Sequence, residues 1–288
     1  MFRKLAILIV IALSVILIGQ IEKPSKSIES VDNLTFVRVN HQGQRDRQGA
    51  NYVIVFDPRS PHLEFKVNLA LDHPLYAQDA GGNLRQEYVA KRFHQIIADE
   101  NSLWQGQRPI AAINGDYIDP QDHPQGLNIS RGIEYSGEFK NLRSSFAISE
   151  GEPQQRRATI QIGERSDPKL NFNIVGGNGR FYQAGIFKDI CADLGEFACR
   201  QETNRSMAAI TDRGQVILLV NSARGQRRLF PEQFDDVLEG VAQQFELGKI
   251  EEAMLFDGGL STGLYFNGKI LIENSNPIGS ALLIYHQP

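Results

Sequence analysis

Residues 255–268, LFDGGLSTGLYFNG, constrain this chain more than any other stretch. Residues 253–256 read as a short buried strand, and Asp257 follows where the chain must leave its sheet. Gly258 and Gly259 are expected to take positive φ and to let a ligand approach bare backbone. Asn267-Gly268 predicts a type I′ hairpin joining 263–266 to 269–272. A chain containing this run must build a sheet that ends in an acid beside glycine. The plainer reading of Asp-Gly-Gly is an ordinary turn, since Asp and Gly dominate turns.

A second strand signal ends the same way: residues 110–119, IAAINGDYID, run from apolar residues into Asn-Gly-Asp, with another acid three residues on. Two further segments carry glycine or arginine at strand ends: 175–185 (VGGNGRFYQAG) and 204–211 (NRSMAAIT). In that order the chain presents Asn114-Gly115, Gly176-Gly177 with Phe181-Tyr182 and Gly185, Arg205-Ser206, and Asp257-Gly258-Gly259-Leu260-Ser261. This set resembles the phosphodiester glycosidase family, over roughly residues 34–285. It departs from the family pattern at Asn178-Gly179, where many relatives have Gly-Pro, at Leu260, where a third glycine is common, and at Met207, where Ala is usual.

The resemblance implies a hydrolase that releases a sugar from a phosphodiester. Such a leaving group is already a stable anion and needs little proton donation. The reaction instead needs charge stabilisation at the anomeric carbon, a hold on the phosphate, and a carboxylate or activated water. Asp257 and Asp116 are the candidates for the carboxylate work, and Arg205 for the phosphate, because its planar fork engages two oxygens. Positions matching the family pattern place Asn114, Gly258, Gly259 and Ser261 in the pocket. Exposed amides of Gly176, Gly177 and Asn178 could cradle the phosphate, and His123 lies close enough in sequence to reach a substrate hydroxyl. Each has a structural competitor: a turn cap for Asp116 and Asp119, an ion pair for Arg205, backbone satisfaction for Ser261, an exposed loop for His123. Asp116, Asp119 and Asp122, spaced by three, are compatible with a divalent cation but lack the calcium-loop pattern. No cofactor is otherwise expected.

Several function classes are disfavoured. The glycine run at 176–179 has no Lys-Ser/Thr and no helix start behind it, which argues against a nucleotide P-loop. No Gly-x-Ser-x-Gly elbow is present. With 30 basic and 34 acidic residues the net charge is −4, which argues against nucleic-acid binding. The single basic cluster, RGQRR at 224–228, reads as a solvated loop or a contact for an anionic substrate tail. Oligomeric state is not legible. The alternatives to a glycosidase are a noncatalytic glycan-binding or exopolysaccharide-assembly factor on the same fold, and a phosphodiesterase that cuts the phosphorus–oxygen bond.

Arg3 and Lys4 precede an apolar run at 5–19, so residues 1–21 are expected to be either a cleaved export signal or a membrane anchor, with the body outside the cytoplasm. Periplasmic or extracellular envelope glycans are the substrates this location implies. Residues 22–33 read as a polar tether, and 34–288 as one phosphodiester glycosidase-like domain. Cys191 and Cys199 fit an exported protein and are expected to pair.

The remaining pattern is strand-rich. Strands are expected at 34–40, 52–56, 62–71, 145–149, 157–162, 172–175, 207–211, 215–221 and 281–286, with Asp212-Arg213-Gly214 as a hairpin turn. Two helices are expected: 84–101, capped by Asn83, and one from Pro231 to Gly248 with the stripe Phe234, Val237, Leu238, Val241 and Phe245. The class predicted is α+β: a large mixed or antiparallel sheet system with two principal helices packed on it, in a single domain.

Overall fold

The structure, a computed structural model, describes residues 28–31, 33–42, 48–69, 77–78, 84–85, 90–120, 124–134, 143–162, 172–191, 203–222, 229–273 and 275–287. The segments 1–27, 121–123 and 192–202 lie outside these, and with them the apolar run at 5–19, Asp122, His123 and Cys199. Among the described residues, no helix is long and apolar enough to cross a membrane.

The α+β expectation is overturned. The described chain is mostly strand, arranged in three antiparallel sheets of eight, five and five strands, with one further two-stranded ladder. Among the described residues one α-helix exceeds two turns, α2, Phe234–Gln244. A shorter one, α1, is Phe93–Ala98. The expected helix at 84–101 fails because tertiary pairing takes the preceding backbone. Leu84–Arg85 is a strand, and Lys91 pairs with Ile278, whose N–H donates to the Lys91 carbonyl at 2.8 Å. Helical spacing puts Val89, Phe93, Ile96 and Ile97 on one face of that expected helix; Val89 lies outside the described residues, and Phe93, Ile96 and Ile97 are buried.

The large sheet runs Ile28–Val31, Leu34–Gln42, Gln48–Phe56, Val216–Ser222, Ser206–Thr211, Ile250–Leu255, Asn178–Gln183, Ile186–Phe187. Its first strand falls in the stretch read as tether, so the folded body begins before Leu34. The middle sheet contains Ser144–Ile148 and Asn173–Gly176, and the third contains Leu264–Phe266, Ala111–Asn114, Ser280–His286 and Leu63–Leu69. One core draws on all three: Phe146 and Val175, Ile113 and Leu282, Leu218 and Met254 pack in the same cluster.

Burial on both faces explains the unbroken apolar strands. Along Val216–Ser222, Val216, Leu218 and Val220 face the common core, while Ile217 and Leu219 join Phe234, Leu238 and Val241 of α2. Period-2 geometry sends alternate residues to opposite faces, so VILLV needs an apolar layer on each side. The α2 stripe was legible for this reason. α1 covers the outer face of the third sheet in the same way, against Ala281, Leu283 and Tyr285.

The expected hairpin forms. Leu264–Phe266 pairs with Lys269–Ile272 across Asn267 (φ 47°) and Gly268 (φ 79°), the type I′ signature. A Cβ on Gly268 would meet nothing within 4 Å. Gly268→Ala therefore isolates the backbone cost of the left-handed region: a loss of about 1–2 kcal/mol in urea unfolding is expected, with Gly268→Asn losing less. An equal loss for both would point to a cause other than φ.

Candidate active site

The acid-ended strands converge where the chain crosses between sheets. Ile250–Leu255 belongs to the large sheet and Leu264–Phe266 to the third; residues 256–263 make the crossing. Phe256 N–H donates to the Ser206 carbonyl and Asp257 N–H to the Gly115 carbonyl, both at 2.8 Å. Successive amides of one segment thus bind two different sheets. Gly177 makes a second crossing, from Asn173–Gly176 in the middle sheet to Asn178–Gln183 in the large one, with its N–H donating to the Ser144 carbonyl at 3.0 Å.

Asn114 ties this junction together. Fully buried, its amide nitrogen donates to the Asp257 carbonyl at 2.8 Å, and its amide oxygen accepts from Ser206 Oγ at 2.6 Å and from Gly263 N–H at 2.9 Å. An Asn side chain offers both donor and acceptors, and here both kinds are used inside the protein.

Two carboxylates stand at the junction in different surroundings. Asp116 is fully buried and accepts from Tyr117 N–H (2.8 Å), Gly126 N–H (2.6 Å) and Asn128 Nδ2 (2.8 Å). Three donors aimed at one carboxyl suit its ionised form. Burial opposes them and pushes its pKa up to about 7, with the donors and the Arg143 charge pulling it down. A Cβ on Gly176 would sit 2.6 Å from the Asp116 carboxyl carbon, so bare backbone at 176 is what admits this side chain. Asp257 is partly open to solvent. Burial raises its pKa to about 6, against hydrogen bonds from Ser261 and Gly258 N–H and the charge of Arg143.

The flanking glycines divide in role. Gly259 has φ +62°, as expected. Gly258 is extended (φ −117°); a Cβ there would lie 2.9 Å from the Asn204 carbonyl oxygen, so close approach, not positive φ, explains it. Leu260, between Gly259 and the buried Ser261, is 60% exposed on the rim.

Arg205 lies deeper than the sequence implied. It is 5% exposed, with its guanidinium 5.6 Å from the Phe234 ring centroid and Nε 3.5 Å from the Leu229 carbonyl. Burial lowers its pKa to about 10, which leaves it charged at neutral pH. Asn178, half-buried, accepts from Gly179 N–H. Among the described residues no three His, Cys, Asp or Glu side chains gather as a metal site would require.

Sequence reasoning missed two residues. Tyr117, next to Asp116, donates its hydroxyl to the Phe256 carbonyl at 3.2 Å. Burial pushes its pKa upward, the Asp257 and Asp116 charges add to this, and Arg205 and Arg143 oppose it. All four charged groups therefore surround one phenol, which stays protonated. Arg143 is the second, with Cζ 5.0 Å from the Tyr117 ring centroid. Tyr117 was legible as the neighbour of Asn-Gly-Asp; Arg143 carries no local signal.

A cleft of about 890 Å³ opens at the other end of these strands, near Arg59, Arg157, Thr211 and Asp212. It contains none of the predicted site residues, and Arg59 is already paired with Asp57. Size alone does not make it the reactive centre.

The phosphodiester glycosidase family profile matches residues 107–285. The chain belongs to this family. The matched span contains every predicted site residue. A zebrafish N-acetylglucosamine-1-phosphodiester alpha-N-acetylglucosaminidase catalytic domain, auto-inhibited by its pro-peptide, shares the fold at TM-score 0.61 and 16% identity, covering 92% of this chain and 86% of that one. A crystal structure from Synechocystis is similar at TM-score 0.63 and 15% identity, covering 92% of this chain; the chain spans 64% of that protein's length. No curated protein matches.

The carboxyl environments set a pH dependence. For Asp116 and Asp257 the folded pKa lies above the unfolded value of 3.8, so between about pH 4 and 7 the folded state binds more protons. Their contribution to stability therefore falls as pH rises through this window, by up to ~1.4 kcal/mol per pH unit for each group. Unfolding free energies measured from pH 8 to 5 should rise with acidification, and Asp257→Asn should remove the part of that rise that sets in below about pH 6. An unchanged slope in that variant would contradict the assignment.

Proposed function

We propose that the protein hydrolyses a glycosyl phosphodiester at the bond between the anomeric carbon and oxygen, with Asp257 supplying the ionised carboxylate. The observation that carries this reading is the placement of Asp257: a partly open acid at the meeting of three sheets, its backbone fixed through Gly115 and Asn114 and its carboxyl oriented by Ser261 and Gly258. Family membership supplies the reaction class.

Water adds its oxygen to the anomeric carbon, and the phosphate monoester departs with the original bridging oxygen. Whether Asp257 attacks that carbon or takes the proton from water, it works as the anion. Because the phosphate leaves as a stable anion, a second acid facing the bond is not required. Sealed Asp116 serves beneath the site: its hydrogen bonds hold Tyr117 and Gly126, the two ends of the intervening loop, and Gly176 closes over it. Asn114, Gly258 and Gly259 set the position of Asp257, with Gly177 and Asn178 along the neighbouring wall. The apolar run at 5–19 supports an exported protein acting on envelope or exopolysaccharide glycans, and a Cys191–Cys199 disulfide belongs to that proposal.

Assayed on a panel of glycosyl phosphodiesters that includes UDP-N-acetylglucosamine, Asp257→Asn should lower kcat by on the order of 10²–10⁴-fold. In the wild type, kcat/KM should rise through about pH 6 and level off above it. If Asp257→Asn releases sugar at the wild-type rate, the catalytic reading fails; retained glycan affinity without turnover in the wild type would establish a binding protein.

A further inference from the structure

One polar atom at the junction stands without a partner. Nη1 of Arg143 is buried and has no hydrogen-bond partner among the described residues. A buried, unpaired N–H is costly, and more so on a charged group. The guanidinium is not remote: it stacks near the Tyr117 ring, and its charge acts on Asp116, Asp257 and Tyr117. Its neighbour Ser144 accepts the Gly177 N–H, so the backbone places Arg143 directly beside the 176–178 glycine turn. Arg205 is more deeply buried, near the Phe234 ring and the Leu229 carbonyl, and its charge acts on Tyr117.

We propose that Arg143 forms the phosphoryl subsite, binding the substrate phosphate through its guanidinium fork beside the Tyr117 hydroxyl, in the role the sequence had suggested for Arg205. Two requirements meet at this position. A fork with an unused donor fits two oxygens of a tetrahedral oxyanion. The phosphate must also lie within one bond of the anomeric carbon that faces Asp257, and Arg143 is the cation whose field reaches the Asp257 carboxylate. A phosphate bound there completes the hydrogen bonding of Nη1 and disperses the charge that develops on the departing oxygen. The role as leaving-group ligand rests on the proposed hydrolysis; the anion site itself does not.

The test uses the full chain and two readouts. Inorganic phosphate, titrated calorimetrically at pH 7, should bind the wild type, and Arg143→Gln should weaken that binding at least ~10-fold. Arg143→Lys should fall between them, and Arg157→Gln, in the distant cleft, should match the wild type. Thermal unfolding of each variant establishes that it is folded. In turnover, Arg143→Gln should lose on the order of 10²-fold in kcat/KM on UDP-N-acetylglucosamine, with a much smaller loss on the phosphate-free 4-nitrophenyl N-acetylglucosaminide. Phosphate binding that is absent in the wild type, or equal in wild type and Arg143→Gln, overturns the subsite. If phosphate binds through Arg143 but no sugar is released, the subsite stands and the proposed hydrolysis falls.

Discussion

The Asn114 amide is the interaction on which the rest of the site depends. Each sheet could close its own ladders without it, and the shared apolar core packs the sheets together, but at the junction specific hydrogen bonds set their alignment. Asn114 supplies three of them, to Asp257, Ser206 and Gly263. It is fully buried, so losing any one would leave a polar group desolvated and unpaired. Asp257 is therefore fixed to a scaffold of strands, not to a free loop.

Close packing at the crossings has a chemical consequence. Gly177 admits the Leu255 carbonyl, since a Cβ there would lie 2.4 Å from it, and Gly176 admits the Asp116 carboxyl. Bare backbone admits the buried Asp116 carboxyl, and among the described residues neither it nor the more open Asp257 has a direct ion pair. Desolvation then raises both pKa values, while Arg143 supplies opposing positive charge to both acids and the Arg205 charge acts on Tyr117. The site combines two acids of unequal access with one arginine whose charge reaches both and a second packed against Phe234.

Local chemistry made much of this legible. Asn267-Gly268 announced its hairpin, the apolar runs announced their strands, and the α2 stripe announced a helix, because each signal is carried by neighbouring residues. The Asp257 and Asp116 positions followed from strands that end in acid and glycine. What escaped was decided by distant partners. Lys91 pairs with Ile278, which limits the first helix to Phe93–Ala98, and the α+β expectation gave way to a mostly β arrangement of three antiparallel sheets. The arginine facing the acids is Arg143, which no motif marks; only the pairing of Ser144 with Gly177 brings it there. Gly258 was anticipated for the wrong reason, since its need is steric and arises from Asn204.

The central claim is that the bond broken lies between the anomeric carbon and oxygen. Hydrolysis of a glycosyl phosphodiester in ¹⁸O-labelled water, followed by mass spectrometry of both products, tests it most directly. The account predicts the label in the sugar hydroxyl and none in the phosphate; label in the phosphate would mean attack at phosphorus and would contradict it.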